Sequence, residues 1–177
     1  MSGTRLRNEA QVRRYLLGQD EIVEVVNYIL DKIYQLNTET IDRVVYAAYD
    51  PSVYQRTNEF RDAWGTNGAK ISGIHVKGEF KYMPDNMIYN PDLAQHGSPA
   101  DYDGAYGGDA REYLADIIYE GLSGNLFGFG PWQKRRDAWA ALLKELDGDR
   151  IAKWANEGFN KVGLKVKIKS LSGMDIE

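Results

Sequence analysis

The apolar residues Ile22, Val26, Ile29, Ile33 and Leu36 recur at spacings of three and four, and Val25 and Leu30 widen the stripe. Only an α-helix gathers that spacing onto one face, so this stretch commits the chain to a long helix with a broad apolar side to bury. Ile41, Val44, Val45 and Ala48 extend the pattern. Asn37 or Thr38 would cap a second helix. The preferred reading is one long or slightly broken helix ending by Tyr49, because Asp50 precedes Pro51 and is biased out of the α region. Whatever follows must supply the surface on which this helix packs.

The stretch from Tyr46 to Trp64, with Pro51, Tyr54, Arg56, Thr57 and Trp64, forms the junction between helix and sheet. Arg56 is expected to fix the turn through charge-assisted bonds to nearby carbonyls or a carboxylate. Asn67-Gly68 marks a turn. Ile74, Val76, Gly78, Phe80 and Tyr82 then alternate with His75, Lys77, Glu79 and Lys81, the pattern of a half-buried strand. Met83-Pro84-Asp85-Asn86 suits a tight turn, and Met87-Ile88-Tyr89 reads as the returning strand. Residues 90–108 carry no period and are too long for an ordinary connection, which marks a functional or mobile loop.

Asp109 and Glu112 make a capping box ahead of the stripe Tyr113, Leu114, Ile117, Ile118 and Leu122. Glycines mixed with Leu126, Phe127, Phe129 and Trp132 follow, and the chain turns basic at Lys134, Arg135 and Arg136. Asp137 opens a helix bearing Trp139, Leu142, Leu143 and Leu146, and Ile151, Trp154 and Ala155 belong to another. Leu164, Val166 and Ile168 alternate with Lys165, Lys167 and Lys169, which predicts a terminal strand whose lysine face guards an edge. The expected fold class is α+β: a long N-terminal helix packed on a small antiparallel sheet, with further C-terminal helices and a terminal strand. One domain spans residues 20–170, preceded by a flexible or short-helix arm at 1–19 and followed by a tail at 171–177.

Chemistry finds little to work with. The 177 residues include no cysteine, which removes disulfides, iron–sulfur ligands, thiol nucleophiles and Cys-type zinc sites. The two histidines, His75 and His96, have no metal-ligand spacing. Residues 121–130 fit neither a phosphate loop nor a dinucleotide fingerprint, and no G-x-S-x-G elbow is present. No catalytic residue, metal ligand or cofactor is assigned, and the chain is read as not being an enzyme. No apolar run reaches the roughly 18 residues that a membrane helix needs. A net charge of -4 argues against non-specific coating of nucleic acid.

Assembly is what remains. Residues 101–120 hold six acids and one base, Asp101, Asp103, Asp109, Glu112, Asp116 and Glu120 against Arg111, whereas residues 134–169 carry ten bases and five acids. Acidic and basic regions on one chain suit head-to-tail contact, and such heterologous contacts close into rings. Aromatic and arginine side chains dominate interface hot spots, which makes Phe127, Phe129, Trp132, Lys134, Arg135 and Arg136 the interface candidates.

The pattern Tyr49-x-Pro51-x-x-Tyr54-x-Arg56-Thr57, Trp64 after a long helix, the His96-Gly97-Ser98 loop, Ile118-x-Glu120-Gly121 through Phe127-Gly128, and Arg136-Asp137-x-Trp139 together span most of residues 20–169. In these the chain resembles the tail-completion, or neck, proteins of long-tailed bacteriophages. The resemblance implies a virion protein made in the bacterial host cytoplasm and forming a homo-oligomeric ring of six or twelve copies at the head-to-tail joint. Its partners would be portal, adaptor or head-completion proteins on one side and tail terminator or tail tube proteins on the other, with double-stranded DNA passing through. The acids of residues 101–120 would face the channel or the neighbouring subunit. Two other readings stand beside it: a DNA-binding protein using the C-terminal basic face, and a metal-dependent hydrolase using loop carboxylates.

Overall fold

The structure is a computed structural model and describes residues 19–48, 58–73, 75–87, 110–121 and 134–169. Most of the arm at 1–19, the loop at 90–108 and the tail at 171–177 therefore lie outside the described residues. The long helix, α1, runs over Gln19–Ile41. Its 23 residues extend about 34 Å, and Asp20 and Glu21 in the first turn oppose the positive end of its dipole. Asn37 does not cap a second helix. It sits inside α1 and is fully buried, with neither amide atom hydrogen-bonded. Thr38 and Thr40 turn their hydroxyls back onto the carbonyls of Tyr34 and Leu36 at 3.0 and 2.7 Å, a bonding pattern that loosens a helix.

That loosening is followed by a π-helical turn over Asp42–Tyr46, in which the Ala47 N–H reaches the Asp42 carbonyl at 2.8 Å. The wider turn shifts the phase of the apolar face. Ile41 and Val45 are buried and Val44 and Tyr46 pack beside them, whereas Ala48, expected on the apolar face, is exposed.

After the four-residue helix α2 (Glu59–Asp62), the strands β1 (Trp64–Thr66), β2 (Lys70–Ser72), β3 (His75–Lys77) and β4 (Phe80–Tyr82) form one interrupted hairpin. β1 pairs antiparallel with β4, placing Trp64 opposite Tyr82 and Thr66 opposite Phe80. β2 pairs with β3, placing Lys70 opposite Lys77 and Ile71 opposite Val76. Three residues, Asn67 to Ala69, thus face two, Gly78 and Glu79, so the arms carry a bulge. Asn67-Gly68 is that bulge rather than a hairpin turn, with Gly68 at a φ of +46°. The strand ending at Tyr82 pairs upstream with β1. Met83-Pro84-Asp85-Asn86 instead makes a 3-10 turn over Pro84–Asn86 that leads to the buried Met87; Ile88 and Tyr89 lie outside the described residues.

α1 holds the hairpin at the bulge. Asn27 accepts the Ala69 backbone N–H at 2.6 Å, and a Cβ on Gly78 would stand 2.6 Å from Leu30 Cδ1 and 3.2 Å from Val26 Cγ1. A glycine here is what lets helix and hairpin approach so closely.

Helices α3 (Ala110–Glu120), α4 (Ala138–Glu145) and α5 (Gly148–Lys161) complete the described fold. Asp137 and Asp147 cap α4 and α5 by accepting the N–H groups of Ala140 and Arg150 at 2.8 and 2.7 Å. α5 lies along α1 with Gly158 buried against Val25 and Tyr28. The Tyr28 hydroxyl donates to Glu157 at 2.8 Å and Lys161 Nζ lies 3.9 Å over the Tyr28 ring. Glu145, at the unfavourable end of α4, is held ionised mainly by Arg43, against some burial, and Arg150 also pairs with it at 3.2 Å. It ties the π turn, α4 and α5 together.

The expected terminal strand is corrected. Residues 164–169 alternate exposed and half-buried as a strand would, yet they pair with no other strand among the described residues. Asn156 of α5 takes the ladder's place: its amide accepts the Ile168 N–H and donates to the Ile168 carbonyl, both at 2.8 Å.

Replacing Gly78 with Val should overpack the α1–hairpin contact and cost about 1–3 kcal/mol. Urea denaturation would register this as a lower midpoint at unchanged slope, and an unaltered midpoint would mean that α1 does not press on the bulge.

Candidate interaction surfaces

Trp64 organises the inner face of the hairpin. Its ring stacks on Phe80 at 5.6 Å and 18° and on Trp139 at 5.4 Å and 17°. Phe60, Tyr82 and Tyr119 lie around it at 5.3 to 6.4 Å. One apolar cluster gathers Ile41, Val45, Phe60, Trp64, Ala115, Ile118 and Ala138, and a second gathers Leu36, Leu142, Leu146 and Ile151. Phe80 and Trp139 pack against both. Burial pushes the Tyr119 hydroxyl far above its ordinary range. Neither that hydroxyl nor Trp64 Nε1 has a hydrogen-bond partner.

The basic run begins at the corner between α3 and α4. The Arg136 backbone N–H bonds to the Ile118 carbonyl at 3.0 Å, and Gly121, at a φ of +76°, returns its N–H to Ile117 at 3.0 Å. Lys134, Arg135 and Arg136 thus sit near the C-terminal end of α3, where cations favour the helix dipole. Lys134 and Arg135 are exposed, whereas Arg136 is half-buried and braces the corner. Arg135 donates to Asp137 at 2.6 Å. Burial by itself would raise the Asp137 carboxyl, but the Ala140 N–H and the Arg135 guanidinium outweigh it and hold the group below the usual carboxylate range.

Glu112, Asp116 and Glu120 stand four apart on α3, and all three are exposed. Residues i and i+4 share a helix face, so they form one acidic row. Lys165, Lys167 and Lys169 are likewise exposed, while Leu164, Val166 and Ile168 between them are half-buried. None of these six charges enters an ion pair with another described residue. A third feature is the far half of the hairpin, where Lys70, Ile71, Ser72, His75 and Lys77 are exposed.

Of the other residues singled out from sequence, Pro51, Tyr54, Arg56, Thr57, Asp101, Asp103, Asp109, Phe127, Phe129 and Trp132 lie outside the described residues. Sequence reasoning missed Asn27, Asn156, Arg43 and Glu145 as fold-bracing groups. Only the asparagines carried a signal, as polar residues within helical stretches. No group of three His, Asp or Glu side chains able to hold a metal is found among the described residues.

The family model described as YomN matches residues 8–161 of the chain. No curated protein and no solved structure matches.

Substituting Asp137 with Ala should cost about 1 kcal/mol at neutral pH, the usual loss for an N-cap. The folded carboxyl titrates below its ordinary value of 3.8, so its contribution is complete above that pH and is lost as pH falls through the folded value. Chemical denaturation at stepped pH should show the gap between wild type and variant narrowing below 3.8; a constant gap would contradict the assignment.

Proposed function

The chain belongs to the YomN family and is a phage-related protein, and from that premise we propose that it is a structural virion protein forming a homo-oligomeric ring at the head-to-tail joint. The observation that carries this reading is the separation of exposed, unpaired charge on one protomer: the acidic row on α3, and lysines at residues 165–169. Opposite charges on different parts of identical subunits favour head-to-tail association, which closes into a ring when the rotation allows. The ring has six or twelve copies, docks between portal or adaptor proteins and the tail tube, and passes double-stranded DNA. Acids of residues 101–120 that are not used between subunits line the channel, where the lack of neutralising cations lets DNA slide. Lys134 and Arg135 contact the next protomer, and Arg136 holds the corner that presents them.

The rival reading with a specific observation behind it is a DNA-binding protein, because the lysine row of residues 165–169 is exposed. The two part in solution. Native mass spectrometry and electron microscopy of the purified protein, alone and with portal and tail tube components, should show closed rings of six or twelve copies. A monomer under every one of those conditions, with duplex binding that weakens steeply as salt rises, would overturn the ring and favour the rival.

A further inference from the structure

The two unpaired rows match in pitch as well as in charge. Along α3, Glu112, Asp116 and Glu120 advance by four residues, so successive carboxylates stand about 6 Å apart and the row spans about 12 Å. Along the C-terminal segment, Lys165, Lys167 and Lys169 advance by two residues, at most about 6.6 Å per step and about 13 Å in all, shortened at Lys165 by the turn in which the Val166 N–H reaches the Leu164 carbonyl at 3.2 Å. A mismatch of that size is well within the reach of a flexible lysine stem.

The lysine row is also held in place. Asn156 grips both backbone groups of Ile168, and the Leu164 N–H is bound by the Phe159 carbonyl at 2.8 Å. Leu164, Val166 and Ile168 are half-buried and the three lysines between them are exposed, so the ammonium groups stand on the solvent side. A paired edge strand would gain nothing from such fixing. Here the asparagine gives order to a segment that has no strand neighbour among the described residues. The acidic row is just as regular, because it is carried on a helix capped against the α4 corner.

We propose that Glu112, Asp116 and Glu120 of one copy lie along Lys165, Lys167 and Lys169 of the next, in register, as the charged seam of a head-to-tail interface. The seam rests on the ring reading given above and specifies which faces meet. Exposed ion pairs are individually weak. Three of them therefore set the register and orientation of neighbouring copies and speed their encounter, while buried contacts elsewhere supply most of the affinity. Assembly then weakens as salt screens the seam.

Charge exchange tests this directly. One variant carries Lys165→Glu, Lys167→Glu and Lys169→Glu; a second carries Glu112→Lys, Asp116→Lys and Glu120→Lys; a third carries all six changes. All six positions are exposed, and thermal melts establish that each variant folds. Milder sets, with Gln at the three lysines or at the three acids, serve if a reversal does not fold. Sedimentation should show that each triple reversal raises the concentration for half-assembly by at least about tenfold, the scale set by three exposed pairs. The sixfold exchange should restore assembly. An equimolar mixture of the two triple variants should also restore it, as alternating rings, which an even copy number permits. Rings formed by the wild type and by both reversals alike would overturn the seam and leave the ring reading standing. Loss of assembly in both triples with no rescue by mixture or exchange would also overturn the seam. A wild type that never forms rings, even with portal and tail components, would remove both.

Discussion

The fold depends on the stacking of Trp64 between Phe80 and Trp139. Its indole is the point where the base of the hairpin meets α4 and, through Tyr119, α3. Such aromatic pairs contribute about 0.5–1.5 kcal/mol each beyond their burial. The arrangement leaves the Trp64 Nε1 and the Tyr119 hydroxyl buried without partners, a penalty of about 1–3 kcal/mol each. α1 supplies the other support, holding the hairpin at Asn27 and Gly78 and α5 at Gly158.

What the sequence revealed divides along physical lines. α1 was legible because a stripe of three- and four-residue spacings admits one period, and the start of α4 was marked by its cap, Asp137; the cap at Asp147 went unread. The hairpin was legible only as strand material. Its pairing with β1 went unread because the bulge at Asn67 to Ala69 resembles a turn. The segment at 164–169 had the alternation of a strand, yet alternation reports exposure and not pairing, so nothing within the segment shows that Asn156 stands in for a neighbouring strand. Asn37 carried the residue type of a cap and lies instead in the buried middle of a helix, where its environment is set by tertiary packing.

The candidate surfaces were legible in part for the same reason. Charge rows depend on period, so Glu112, Asp116 and Glu120 and the alternating lysines could be placed on faces from spacing alone. Arg135 and Arg136 could not be separated in that way, since the difference between an exposed and a half-buried arginine arises where α3 meets α4. The junction from Tyr46 to Trp64 enters the described fold at its two ends. Tyr46 accepts the Arg61 N–H at 3.2 Å, and Trp64 is the aromatic centre. Both ends close onto the same apolar cluster.

The central structural claim is that the hairpin and the C-terminal helices form one cooperative unit joined through Trp64. Native-state hydrogen exchange tests it most directly, by comparing amides of β1, β4 and α4 in the wild type and in a Trp64→Ala variant. The account predicts a common opening free energy for the three elements in the wild type, and a fall of about 3–5 kcal/mol in all of them on truncation of the indole. Hairpin amides that open on their own, with protection of α4 unchanged by the substitution, would contradict it.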